Sequence, residues 1–214
     1  GYNASMLTTI ANRLTKFPLN RIQPSSTAAP FSAAVLVILG GDDANPQVTL
    51  TQRALHLNSH AGEVAFPGGM WDPVDRHLLD TAMREAREEV GLAANRVRPV
   101  ATLPVASPRR REISVTPFVA IADSDLELTA DAGEIAAIFD MPLNAFLDHR
   151  EYDYFEMNID DEKGSRVIRF PFLTYNNYRI WGFTLKVITD LLNSTYDAGL
   201  QLDYPVHEEP DETD

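Results

Sequence analysis

Three glutamates on one predicted helical turn, Glu85, Glu88 and Glu89, constrain this chain more than any other feature. At i, i+3 and i+4 their side chains share one patch of surface, where like charges cost roughly 0.3 kcal/mol per pair. Such a patch is either a solvated acidic face or a place where a divalent cation removes the repulsion. Its flanks are specific. Pro67, Gly68 and Gly69 read as a loop, Asp72, Pro73 and Asp75 lead into a helix from about His77 to Val90, and Gly91 ends it. Leu79, Met83, Ala86 and Val90 fall on one face, which is predicted to pack on a sheet, with the acids on the other side.

Around this helix the chain alternates between strand and helix patterns. Leu7, Ile10, Ala11 and Leu14 recur at helical spacing between Met6 and Lys16, and Pro18 and Pro24 break the pattern. Residues 1–5 precede Met6 and stand outside the fold argument. Phe31 to Leu39 and Gln47 to Arg53 are predicted strands of a hairpin turned by Gly40, Gly41, Asp42 and Asp43. Val97 to Leu103 and Ile113 to Ala122 are further strands, followed by a short strand from Glu134 to Phe139 and a helix from Pro142 through Leu147. Tyr152 to Ile159 and Arg166 to Tyr175 flank a turn at 161–164, and Phe183 to Leu192 reads as a closing helix. The expected organisation is an N-terminal helix and lead-in over 1–30, one domain over 31–200, and an acidic, mobile tail over 201–214. Helices mixed irregularly with strands suggest an α/β fold with a mixed sheet covered on its faces.

The bulk numbers remove several function classes. A formal charge of −13 leaves no broad basic surface for nucleic acid, and no apolar run is long enough to span a bilayer. With no cysteine, disulfides, thiolate metal sites and cysteine nucleophiles are excluded. There is no secretory pattern at the start and no peroxisomal address at the end, so the cytoplasm is the expected compartment. His56, His60, His77, His149 and His207 show no ligand or triad spacing.

The run Gly68-Gly69-Met70-Trp71-Asp72-Pro73-Val74-Asp75, followed by Arg84-Glu85-Ala86-Arg87-Glu88-Glu89-Val90-Gly91-Leu92, resembles the Nudix box. Asp75 stands where the general pattern has Glu, and the stretch to Arg84 is one residue longer. That form is similar to the coenzyme A pyrophosphatase branch, as are Leu50-Thr51-Gln52-Arg53-Ala54, Gly62 and Phe66-Pro67-Gly68-Gly69. Asn58 departs from the branch, which carries Arg there. The resemblance covers about residues 31–192.

It implies a Nudix α/β/α sandwich and a pyrophosphohydrolase that uses Mg2+ or Mn2+ and needs no covalent intermediate. It assigns metal binding to Glu85, Glu88, Glu89 and the main-chain carbonyl of Gly69. Arg84 is expected to orient one of the carboxylates, with a plain surface salt bridge as the alternative, and Glu134 to bind metal or activate water, with a solvated loop acid as the alternative. Arg53 and the loop arginines Arg109, Arg110 and Arg111 are candidates for phosphate, with a surface salt-bridged loop as the plain reading of the latter three. Phe66, Trp71 and Trp181 are either adenine platforms or packing groups. The expected substrate is coenzyme A or a derivative. A different nucleoside diphosphate-X such as ADP-ribose or a dinucleotide is the first alternative, and a nucleotide-binding regulator without catalysis the second. A homodimer is left open.

Overall fold

The computed structural model describes residues 5–107, 112–123 and 126–204. In chain order these form α1 (Met6–Arg13), β1 (Ser32–Asp42), β2 (Asn45–Arg53), β3 (Val64–Ala65), β4 (Gly68–Met70), α2 (Leu78–Val90), β5 (Val97–Thr102) and β6 (Ser114–Ala122). They continue with β7 (Ile135–Pro142), β8 (Tyr152–Asp161), β9 (Gly164–Tyr175), β10 (Tyr178–Trp181) and α3 (Gly182–Tyr196).

The apolar run of β1 lacks polar alternation because both of its faces are covered. Ala34, Leu36 and Ile38 join Leu78, Leu79, Ala82, Ala86 and Val90 of α2 in one core. Val37 and Leu39 join Val48 and Leu50 of β2 with Ile10 of α1 and Leu185, Ile188 and Leu192 of α3 in the other. The mixed sheet thus lies between α2 on one face and α1 with α3 on the other, an α/β/α sandwich. Fully burying one aliphatic side chain contributes about 2 kcal/mol, several times the repulsion between neighbouring acids on α2, so the core face fixes this helix despite its charge.

The central pair β1 and β6 is parallel, whereas β5 with β6 and β7 with β2 are antiparallel. β1 and β2 pair only from Leu39↔Val48 to Asp42↔Asn45. Beyond that point they part, β4 taking over the edge of β1 at Ala33 to Val35 and β3 that of β2 at Thr51 and Gln52. The site opens in this split. β8, β9 and β10 form a separate antiparallel sheet whose Phe155, Phe170 and Trp181 pack on one another.

Several boundaries differ from the sequence reading. Gly40 and Gly41 do not turn the hairpin but extend β1, pairing with Gln47 and Pro46, because the turn needs only Asp43 and Ala44. Gly68 and Gly69, predicted as loop, form β4. Residues 142–147 make a 3-10 turn over Leu143–Phe146 rather than an α-helix, and β7 begins at Ile135, leaving Glu134 on the preceding loop. β3 and β10 have no counterpart in the sequence reading, and α3 runs longer, to Tyr196. Leu202 and Tyr204, within the segment expected to be a tail, pack against the core on the α3 side, and residues 205–214 lie outside the described residues. No helix among the described residues is long and apolar enough to cross a membrane.

Candidate active site

The first turn of α2 is capped by His77, whose Nδ1 accepts from the Asp80 N–H, and its end by Gly91 in the left-handed region at φ 68°. The approach to the helix is fixed by Asp75. Its carboxylate, 6% exposed, accepts from Arg84 Nε at 2.8 Å and Nη2 at 3.0 Å, from Thr81 Oγ1 at 2.8 Å and from the Asp72 N–H at 3.0 Å. Burial by itself would raise the Asp75 carboxyl, but Arg84, Thr81 and the Asp72 amide together hold it below the ordinary carboxylate range. With all four bonds made, Asp75 anchors Arg84. The substitution of Asp for Glu in the box therefore serves structure.

Arg84 is no surface salt-bridge residue. Besides Asp75 it donates to Glu85 Oε1 at 3.0 Å, Glu88 Oε2 at 3.4 Å and the Met70 carbonyl at 3.2 Å. One guanidinium thus links the lead-in loop, β4 and two of the three acids, and orients Glu85. Its pKa is raised by Asp75 and Glu85.

Glu89 corrects the picture of a helix with a core side and an acidic side. It is 5% exposed, trapped between α2 and β4, where its Oε1 accepts from the Gly68 N–H at 3.4 Å. The reason is that α2 packs on β4 as well as on β1, so the i+4 acid is carried under the strand edge. Burial pushes its carboxyl up to about 8, with Glu85 and Glu134 adding repulsion and the Gly68 amide and Arg53 offsetting part. Glu85 is raised too, first by burial and then by Glu88 and Glu134, against the pull of Arg84. Gly69 presses on this group: a Cβ there would lie 2.5 Å from Glu85 Cδ.

Among the described residues no three carboxylate or imidazole groups already stand as a ligand set, since Glu85 and Glu88 are turned to Arg84. The donor chemistry nevertheless fits a hard divalent cation. A buried carboxylate whose charged form is short of compensation, a second carboxylate four residues earlier, and a side-chain-free residue pressed against it provide oxygen donors in one place.

Beside Glu89 the split in the sheet forms a cavity of about 260 Å3. Ala33, Val35, Val115, Phe66 and Phe183 give it apolar walls, and Arg53, His60, Thr51 and Glu89 give it polar ones. Arg53 Nε is buried and has no hydrogen-bond partner among the described residues. Phe66 lines the cavity but is 3% exposed and packed edge-on against Phe183, so it serves as a wall rather than an open stacking face. Trp71 packs against the α2 core and Trp181 among the aromatics of the second sheet. Glu134 lies on an exposed loop close enough to Glu85 and Glu89 to perturb both. Arg109, Arg110 and Arg111 lie outside the described residues.

Sequence reasoning missed three contributions. In the residue order Asp75 shows only as an Asp where the box pattern has Glu, whereas its value lies in four contacts made across a loop. His60 enters the cavity wall at φ 54° with Nδ1 3.0 Å from Glu63 Oε2, and nothing in the residue order announces that conformation. His56, without ligand spacing, binds the loop that carries Glu134.

The NUDIX domain family profile matches residues 30–159. An uncharacterized Nudix hydrolase, NudL, of Yersinia enterocolitica is 34% identical over 184 residues, 86% of this chain and 91% of the relative. An uncharacterized NudL of Photorhabdus laumondii is 36% identical over 146 residues, 68% of this chain and 75% of the relative. Among solved structures, a MutT/nudix family protein from Enterococcus faecalis is 15% identical with a TM-score of 0.48, covering 92% of this chain and 71% of its own. From the extent of the family match and of the relatives' identity, the chain belongs to the Nudix family and is a pyrophosphohydrolase.

Proposed function

We propose that this enzyme cleaves the diphosphate bond of coenzyme A or a derivative, giving 3′,5′-ADP and a 4′-phosphopantetheine product, with Mg2+ or Mn2+ as the metal. The observation that carries the reading is the cavity: Arg53, whose buried Nε–H has no acceptor among the described residues, stands in its wall beside Glu89. A phosphate oxygen is the acceptor that such a guanidinium wants next to a carboxylate cluster. The stretch resembling the coenzyme A branch also supplies much of that wall, through Thr51, Arg53, Phe66, Gly68 and Gly69.

Glu85, Glu89, Glu88 and the Gly69 carbonyl would hold the metal, which when bound supplies neutralisation of the diphosphate and activation of the attacking water. Arg84 keeps Glu85 aimed, and the ionised Glu134 carboxylate approaches from its loop as the base that takes a proton from water. Arg53 holds a phosphate that is not attacked, and the apolar walls exclude water from it. Arg109, Arg110 and Arg111 serve the 3′-phosphate. Asn58, which stands where the branch has Arg, favours a second reading in which ADP-ribose or a dinucleotide is the better substrate.

Turnover on coenzyme A and ADP-ribose, measured side by side with Mg2+ or Mn2+, decides between them. Coenzyme A is expected to be cleaved with the higher kcat/KM, and faster cleavage of ADP-ribose overturns the substrate assignment.

A further inference from the structure

The loop bearing Glu134 is tied to two parts of the molecule. On one side, the Asp131 N–H donates to the Glu89 carbonyl at 2.8 Å and the Thr129 N–H to the Val90 carbonyl at 2.9 Å, fastening the loop to the last turn of α2. On the other, the Ala54 N–H donates to the Glu134 carbonyl at 2.8 Å, and His56 Nε2 lies 3.0 Å from the Gly133 carbonyl. A carbonyl oxygen only accepts, so Nε2 carries the proton.

Those two carbonyls belong to the peptide planes on either side of the Glu134 Cα. Peptides are planar, so holding both planes restrains φ and ψ at Glu134 and with them the direction of its Cα–Cβ bond. The Glu134 and Ile135 N–H groups add to this restraint, both donating to the Asp131 carbonyl, at 3.0 and 2.8 Å. The first plane follows Gly133, which has no side chain to restrict its rotation. Its carbonyl is held by His56. Both tethers come from the end of β2 and the loop after it, next to Arg53 and followed by His60 in the cavity wall.

We propose that His56 is a positioning residue for Glu134: its hydrogen bond to the Gly133 carbonyl aims the Glu134 carboxylate at the diphosphate site and couples that aim to the strand that lines the cavity. The inference rests on the reading above in one respect only, that Glu134 acts during turnover. It does not depend on which diphosphate is cleaved. An exposed hydrogen bond adds little to stability, but a displacement of the order of 1 Å at a reacting group costs up to about a hundredfold in rate.

The test is a double-mutant cycle on the substrate that the enzyme turns over best. His56→Ala is expected to lower kcat about tenfold with KM within about twofold and melting temperature nearly unchanged. His56→Gln, which keeps a side-chain N–H donor, should recover most of the loss. Glu134→Gln should be slow, and adding His56→Ala to it should slow it by no more than about twofold further. Normal kcat in His56→Ala, losses that multiply in the double variant, or an effect confined to KM each overturn the positioning role. A slow Glu134→Gln beside a normal His56→Ala removes this inference alone, whereas full turnover by Glu134→Gln removes the role of Glu134 and the inference with it.

Discussion

Gly68 and Gly69 are adjacent and both close-packed, yet they do different work. A Cβ on Gly69 would meet the end of the Glu85 side chain, 2.5 Å from Cδ, whereas a Cβ on Gly68 would meet the Ala34 carbonyl oxygen at 2.5 Å and Val35. A carboxylate swings away more easily than a strand moves. Gly69→Ala is therefore expected to leave the fold nearly intact and lower metal-dependent kcat/KM by about tenfold or more, because Glu85 is displaced. Gly68→Ala should instead lose about 2 kcal/mol of stability by parting β4 from β1. Urea unfolding beside kinetics separates the two, and equal stability losses would refute the distinction. At this scale Glu85, Glu88 and Glu89 were legible from their spacing, and the Gly pair from its neighbours. That Glu89 is buried was not legible, since helical periodicity places it beside the core face without saying that β4 closes over it.

α2 is the element that the site is built on, and it is held at both ends by groups outside its own apolar stripe. Gly91 supplies the left-handed residue after its last turn, and Asp75 grips Arg84 two turns in from the start. Asp75→Asn would leave a largely buried guanidinium short of its charged partner, with an expected cost of about 3 kcal/mol at pH 7. The sign of the pH effect follows from the lowered pKa. Stability from Asp75 is fully present above its unfolded value of about 4 and is lost as pH falls through its folded value, so the variant and the parent should converge in acid. Denaturant curves at pH 7 and pH 3 check this, and a gap that persists undiminished would reject the ion pair as its source. The long elements were readable because three or four turns, or six to twelve strand residues, carry a period. β3, β4 and β10 were not, because two to four residues carry none and only pairing with β2, β1 and β9 defines them.

Across the molecule, the acidic site is a source of instability that a cation would relieve under the proposed function. The Glu89 carboxyl is raised to about 8 against an ordinary value of 4.5, so between these pH values the folded state holds a proton that the unfolded state has released. Metal-free stability should fall as pH rises from about 5 to 8, by up to about 4 kcal/mol, and level off above. Mg2+ or Mn2+ should raise the melting temperature more at pH 8 than at pH 6, since binding needs the ionised carboxylate. Glu89→Gln, which cannot titrate, should flatten the metal-free slope and abolish most activity. Thermal melts of both proteins across pH test it, and an unchanged slope in Glu89→Gln would move the effect elsewhere. The residue order by itself determined the helix with its three acids, the glycines before it, the strands that cross the core and the family to which they point, because each depends on periods or spacings within a short stretch. Only the tertiary structure decided that Glu89 is buried, that Asp75 is an anchor, that β1 and β2 part to form a cavity lined by Arg53, and that His56 reaches the loop of Glu134. These depend on contacts between residues far apart in the chain, and no local pattern encodes the distance or burial from which their chemistry arises.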